Sequence, residues 1–142
     1  MPTDVFVRRP ALWLTSASEY RASVLCSPNF GYEHLLKSFR PERLDGIDLS
    51  AVRLVFNGAE PISAALVERF NVALAPFGLS PVAMFPVYGL AEATLAVAFP
   101  QIGAPVQVRA LSRAALGIGV PYARLGLVTL AQVALVGIGG WL

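Results

Sequence analysis

The spacing of apolar residues divides the first hundred positions into alternating elements. Residues 10–21 carry Leu12, Leu14 and Tyr20 among small and polar neighbours, a pattern that predicts a helix. From Ser23, "SVLC" is a short apolar strand stopped by "SPN". Phe30, Leu35, Leu36 and Phe39 then recur at near-helical intervals, predicting a helix over 30–39 that Pro41 ends. "RPERLDGIDLS" reads as a polar surface connection. Residues 52–56 form a buried strand that leaves through an Asn-Gly turn. Ser63 is the expected N-cap of the next helix, with Leu66, Phe70 and Leu74 as its inner stripe and Pro76 and Gly78 closing it. "VAMF" from Val82 is a third strand, "PVYG" a turn, and residues 90–98 a short helix.

Strands that alternate with helices are joined by crossovers, which makes the sheet parallel. The fold class expected is therefore α/β: a piece of a parallel-sheet subdomain flanked by helices. In such sheets ligands gather at the carboxyl ends of strands. "NGAEP" and "YGLAE" each follow a strand and precede a helix, so both are expected at that edge.

Composition changes this picture in one respect. Of the chain's 142 residues, 1–69 hold sixteen of the twenty charged side chains, and 70–142 hold only Glu92, Arg109, Arg113 and Arg124. A free domain needs a polar surface, so the second half is expected to lie against other protein or partly in a membrane. The last 18 residues, "LGLVTLAQVALVGIGGWL", are uncharged and reach the lower length of a bilayer span, although their glycines, Thr129 and Gln132 equally suit a buried strand and turn. A net charge of +2 is too small and too scattered for nucleic acid. Cys26 is the only cysteine, and no secretory signal opens the chain, so a cytoplasmic location is expected.

Chemistry is sparse. His34 is the sole histidine, better suited to a helix surface than to metal ligation, and neither glycine pair at "GIG" continues at dinucleotide spacing. Gly58 and Gly89 permit close backbone approach to a ligand, Tyr88 offers a flat face for a purine, and Glu92 near a helix N-terminus suits magnesium beside phosphates. The same residues also read as ordinary structure: Tyr88 as a half-buried aromatic, Glu92 as a first-turn carboxylate, Glu60 as a solvated turn residue.

Three stretches, "VLCSPNFGYEHLLKSF", "LSAVRLVFNGAEPIS" and "AMFPVYGLAEATLAVAFP", resemble successive segments of the fatty-acyl-AMP ligase branch of the adenylate-forming enzymes, which include acyl-CoA synthetases. The resemblance runs from about Val5 to Pro100, giving a core adenylating segment over 1–100 and an apolar, weakly matching continuation over 101–142. It implies activation of a fatty acid with ATP to an acyl-adenylate, followed by transfer to the thiol of an acyl carrier protein or coenzyme A. By resemblance, Gly58, Ala59, Glu60 and Pro61 line the adenine pocket and Tyr88 stacks on the base. Gly89, Leu90 and Ala91 approach the α-phosphate of ATP or AMP, Glu92 holds Mg2+, and Asn29 and Phe30 border the acyl channel. Ala91 stands where many superfamily members have threonine, and in this it matches the fatty-acyl-AMP ligase branch. The family's phosphate loop and catalytic lysine have no counterpart in these 142 residues, so the resemblance implies a segment inactive alone, completed by the rest of a ligase or by another chain. Two other readings remain: a non-catalytic nucleotide-binding or interaction module, and a small protein tethered to a membrane by its C-terminal run.

Overall fold

A computed structural model describes residues 1–95 and 97–108. Seven regular elements follow in order: helices α1 (Thr3–Arg8) and α2 (Ala11–Glu19), strand β1 (Val24–Ser27), helix α3 (Asn29–Lys37), strand β2 (Leu54–Asn57), helix α4 (Ala64–Leu74) and strand β3 (Met84–Pro86). The three strands form one parallel sheet in the order β1-β2-β3. This is the α/β architecture expected from the alternation of strand and helix.

Register explains how the sheet is held. Leu25, Val55 and Met84 are Cα partners across the three strands, and all three are buried. They share a core with Tyr32 and Leu35 of α3 and with Leu66, Val67, Phe70 and Leu74 of α4. Burying such aliphatic side chains gains roughly 25 cal/mol per Å² removed from water. The alternate residues behave differently: Val24 and Cys26 are exposed, while Phe85 is covered by Phe56 and by a stacked Phe99, 5.3 and 6.2 Å away between ring centres.

Several expectations hold closely. Ser63 caps α4, its Oγ accepting from the Leu66 amide at 3.3 Å. A 3-10 turn at Ala75–Phe77 and Gly78, at φ 84°, end that helix. The helix expected over 10–21 is α2. Others change. A helix that the apolar spacing did not predict, α1, precedes it, and its Phe6 ring meets Trp13 of α2 edge-on at 5.8 Å. The segment read as a polar connection contains Leu44 and Leu49, both in the core, and a 3-10 turn at Pro41–Arg43. His34 does lie on a helix, half-buried, with Nε2 donating to the Val7 carbonyl at 2.8 Å.

Among the described residues of 90–98 the expected helix is absent. A 3-10 turn of three residues, Ala91–Ala93, takes its place, followed by Thr94 and Leu95 at φ 53° and 76°. The amides of Val97 and Ala98 both donate to the Tyr88 carbonyl at 3.0 Å, and the Tyr88 amide donates to Ala98 at 3.1 Å. An antiparallel bridge therefore takes the donors a helix would have used. Short helices depend on packing an apolar stripe, and here Leu95, Val97 and Phe99 are exposed. No helix among the described residues is long and apolar enough to cross a membrane. The apolar run 125–142 and most of the 101–142 continuation lie outside the described residues.

Candidate nucleotide and acyl site

The three segments that follow the strands converge on one edge of the sheet. After β2 the chain turns through Gly58, Ala59, Glu60 and Pro61; after β3 it passes Val87 into Tyr88. These loops touch. The Val87 amide donates to the Asn57 carbonyl at 2.8 Å, and a Cβ added to Gly58 would stand 2.7 Å from the Val87 carbonyl oxygen and 2.8 Å from its Cγ2. Only glycine fits that approach. Gly58 and Tyr88 thus fall on either side of a direct backbone contact, as strands about 5 Å apart require.

The start of α3 joins the same edge. Asn57 is 0% exposed, a polar side chain inside the core, and its Nδ2 donates to Asn29 Oδ1 at 2.9 Å. Asn29 Nδ2 in turn donates to the Pro61 carbonyl. The Phe30 amide donates to Glu60 Oε1 at 2.7 Å. So the residues assigned by resemblance to the acyl border, Asn29 and Phe30, are hydrogen-bonded to the loop assigned to adenine. Asn57 Oδ1 is buried without a donor among the described residues.

Beyond the contact, Tyr88 keeps 43% of its surface open. Gly89, Leu90, Ala91 and Glu92 follow it, and their amides donate to no protein acceptor among the described residues. Glu92 is exposed in the three-residue turn. The helix N-terminus expected beside Glu92 is not there, because a turn this short carries no helix dipole of consequence. Among the described residues no three His, Cys, Asp or Glu side chains gather as a metal site.

Sequence reasoning passed over Asn57 and Val87. Asn57 had a signal, since a polar residue closing an apolar strand must find buried partners. Val87 had none, because its role is that of a backbone oxygen against a glycine. Below the site, Tyr32 is fully buried with its hydroxyl donating to the Phe56 carbonyl, and burial, with the nearby Cys26, pushes its phenol well above the usual tyrosine range.

A three-stranded parallel sheet with helices between its strands and two contacting strand-end loops defines an α/β protein. The chain belongs to the AMP-binding enzyme family, whose model matches residues 1–132. It is 42% identical over 116 residues to the medium-chain-fatty-acid–[acyl-carrier-protein] ligase JamA of Moorena producens, covering 82% of this chain and 20% of that protein. It is 43% identical over 98 residues to the long-chain-fatty-acid–AMP ligase FadD26 of Mycobacterium marinum, covering 69% and 17%. Among solved structures, the fatty acyl-adenylate ligase from L. pneumophila in complex with acyl adenylate and pyrophosphate matches at 40% identity and a TM-score of 0.71, over 74% of this chain and 19% of that one. The chain spans about a fifth of the length of the curated relatives it matches first.

Proposed function

We propose that this chain supplies the adenine-facing and acyl-facing wall of an enzyme that activates a fatty acid. ATP is attacked at its α-phosphorus by the acid's carboxylate oxygen and pyrophosphate leaves; a carrier-protein or coenzyme A thiol then attacks the acyl carbon, the acyl–phosphate bond breaks, and AMP and the thiol proton are released. One observation carries the reading: Gly58 packed on Val87, with Asn29 and Phe30 bonded to Pro61 and Glu60, joins the three segments in which the resemblance places substrate.

Each group has a task in that reading. The backbone of Gly58 to Pro61 lines the base, and the open Tyr88 ring stacks on it; stacking and shape suit a planar purine. The amides of Gly89, Leu90 and Ala91 meet charge at the α-phosphate, where oriented donors lower the barrier most. Glu92 fits one role toward magnesium: an exposed carboxylate serves as a single ligand of an ion that keeps water and phosphate oxygens for the rest. The ion itself would offset phosphate charge. The phosphate loop and the catalytic lysine come from further polypeptide, in the same or another chain, within a cytoplasmic setting.

Equilibrium dialysis of AMP against the 142-residue chain tests the proposal. Saturable binding that Tyr88→Ala weakens is the expected result, while pyrophosphate release from ATP, magnesium and a fatty acid stays at background. Failure to bind AMP overturns the site; robust release by the chain alone overturns the division of labour.

A further inference from the structure

We infer that Glu60, with Asn29 and Asn57, is a positioning residue that fixes the adenine-side loop against the acyl-side helix, and that its carboxylate serves this brace instead of a ligand. The inference rests on the proposed function above for what the brace is for, and on geometry for its existence. Helix α3 begins after Pro28, which offers no side-chain cap. Its first amides need acceptors from elsewhere. Glu60, thirty residues away in sequence, supplies one: its Oε1 accepts from the Phe30 amide at 2.7 Å. A carboxylate at the start of a nine-residue helix is favoured by the aligned peptide dipoles and makes a charge-assisted bond.

Two further bonds run in parallel with it, Asn57 Nδ2 to Asn29 Oδ1 and Asn29 Nδ2 to the Pro61 carbonyl. All three link the end of β2 and the loop after it to the first two residues of α3. The loop needs such hold, because Ala59 sits at φ 66°, a conformation that side chains other than glycine avoid unless their surroundings impose it. The gap between the acyl border and the adenine loop is therefore set by side-chain bonds to neighbouring side chains and backbone.

Glutamine separates this role from a ligand contact, since it keeps the Oε1 acceptor and loses the charge. The test follows hydrogen exchange at the Phe30 amide and AMP affinity by dialysis in the 142-residue chain, for wild type, Glu60→Ala and Glu60→Gln. Glu60 is exposed, so neither substitution endangers the core. Glu60→Ala is expected to speed Phe30 exchange and to weaken AMP binding by about ten-fold, the size of one lost hydrogen bond to a charged group. Glu60→Gln, which keeps the acceptor without the charge, recovers part of both, since a charge-assisted bond is roughly twice as strong as a neutral one. Unchanged Phe30 exchange in Glu60→Ala overturns the brace, as does a Glu60→Gln variant no better than Glu60→Ala. Should wild type bind no AMP, the proposed function fails by itself, and the exchange rates still decide whether Glu60 holds the helix.

Discussion

Two loops leave the same edge of the sheet and are held in opposite ways. The loop after β2 is tied by side chains: Asn57 to Asn29, Asn29 to Pro61, Glu60 to Phe30. The loop after β3 is tied mainly by backbone, through the bridge between Tyr88 and Ala98, with the Phe99 ring stacked on Phe85; Leu95 stays 79% and Phe99 55% exposed. The first is specified by residue identity and sits above a packed core. The second is specified by main-chain geometry and carries apolar surface of the kind that marks contact with other protein. The nucleotide site proposed between them would have one fixed wall and one whose shape depends on what packs outside it.

The sharpest way to break that comparison is at the point where the loops meet. Gly58→Ala puts a Cβ 2.7 Å from the Val87 oxygen, and a backbone oxygen cannot swing aside. The loss of stability should be about 1–3 kcal/mol, the usual cost of overpacking. A urea midpoint equal to wild type would mean that the loops are not in contact.

A smaller effect probes the core beneath the braced loop. Tyr32→Phe removes the hydroxyl that bonds the Phe56 carbonyl, one residue before Asn57, and should cost about 1 kcal/mol at neutral pH. The pH dependence has a definite sign. Because burial raises the folded phenol above its unfolded value near 10, the contribution is complete below about pH 10 and is lost as pH rises. The gap between wild type and Tyr32→Phe should therefore close in alkaline denaturation series; a gap that widens would mean Tyr32 is not buried as described.

On the backbone-held side the expected change has the other sign. Leu95 is exposed at φ 76°, so Leu95→Gly relieves a left-handed strain of roughly 1–2 kcal/mol while losing some of it to chain entropy. The variant should melt at or slightly above the wild-type temperature. A clear loss of stability would show that the Leu95 side chain is doing packing work.

The same contrast marks how far the sequence could be read. Strands and helices that bury an apolar period, such as Leu25, Val55 and Met84 in register or the Leu66, Phe70, Leu74 stripe, were legible because burial writes itself into spacing. Ser63 and Gly78 were legible because capping demands particular residues. The short turn at 91–93 was not, since "LAEATLAVA" has good helical composition and what overrides it is a bridge formed by backbone groups that every residue carries. The meeting of "NGAEP" with "YGLAE" at one edge followed from parallel topology. The reach of Glu60 and Asn57 into α3 did not, because the partners lie 30 and 28 positions apart and no local pattern records such a bond.

Glu92 gives the smallest expected effect on the fold. It is exposed in a three-residue turn, and among the described residues its carboxylate bonds to nothing. Glu92→Ala should shift stability by less than about 0.5 kcal/mol, as surface substitutions commonly do. Its effect on ligand binding should be larger and selective: in a complete ligase carrying this segment, the variant should need more magnesium for half-maximal adenylation, with the KM for the fatty acid unchanged. The braced side supplies the contrast, since Glu60→Ala should alter nucleotide and acid together by loosening the loop between them. Equal magnesium requirements in wild type and Glu92→Ala would remove the metal role from Glu92. A melting temperature that fell with the same substitution would instead mean that the turn depends on this side chain, and that the second loop is braced after all.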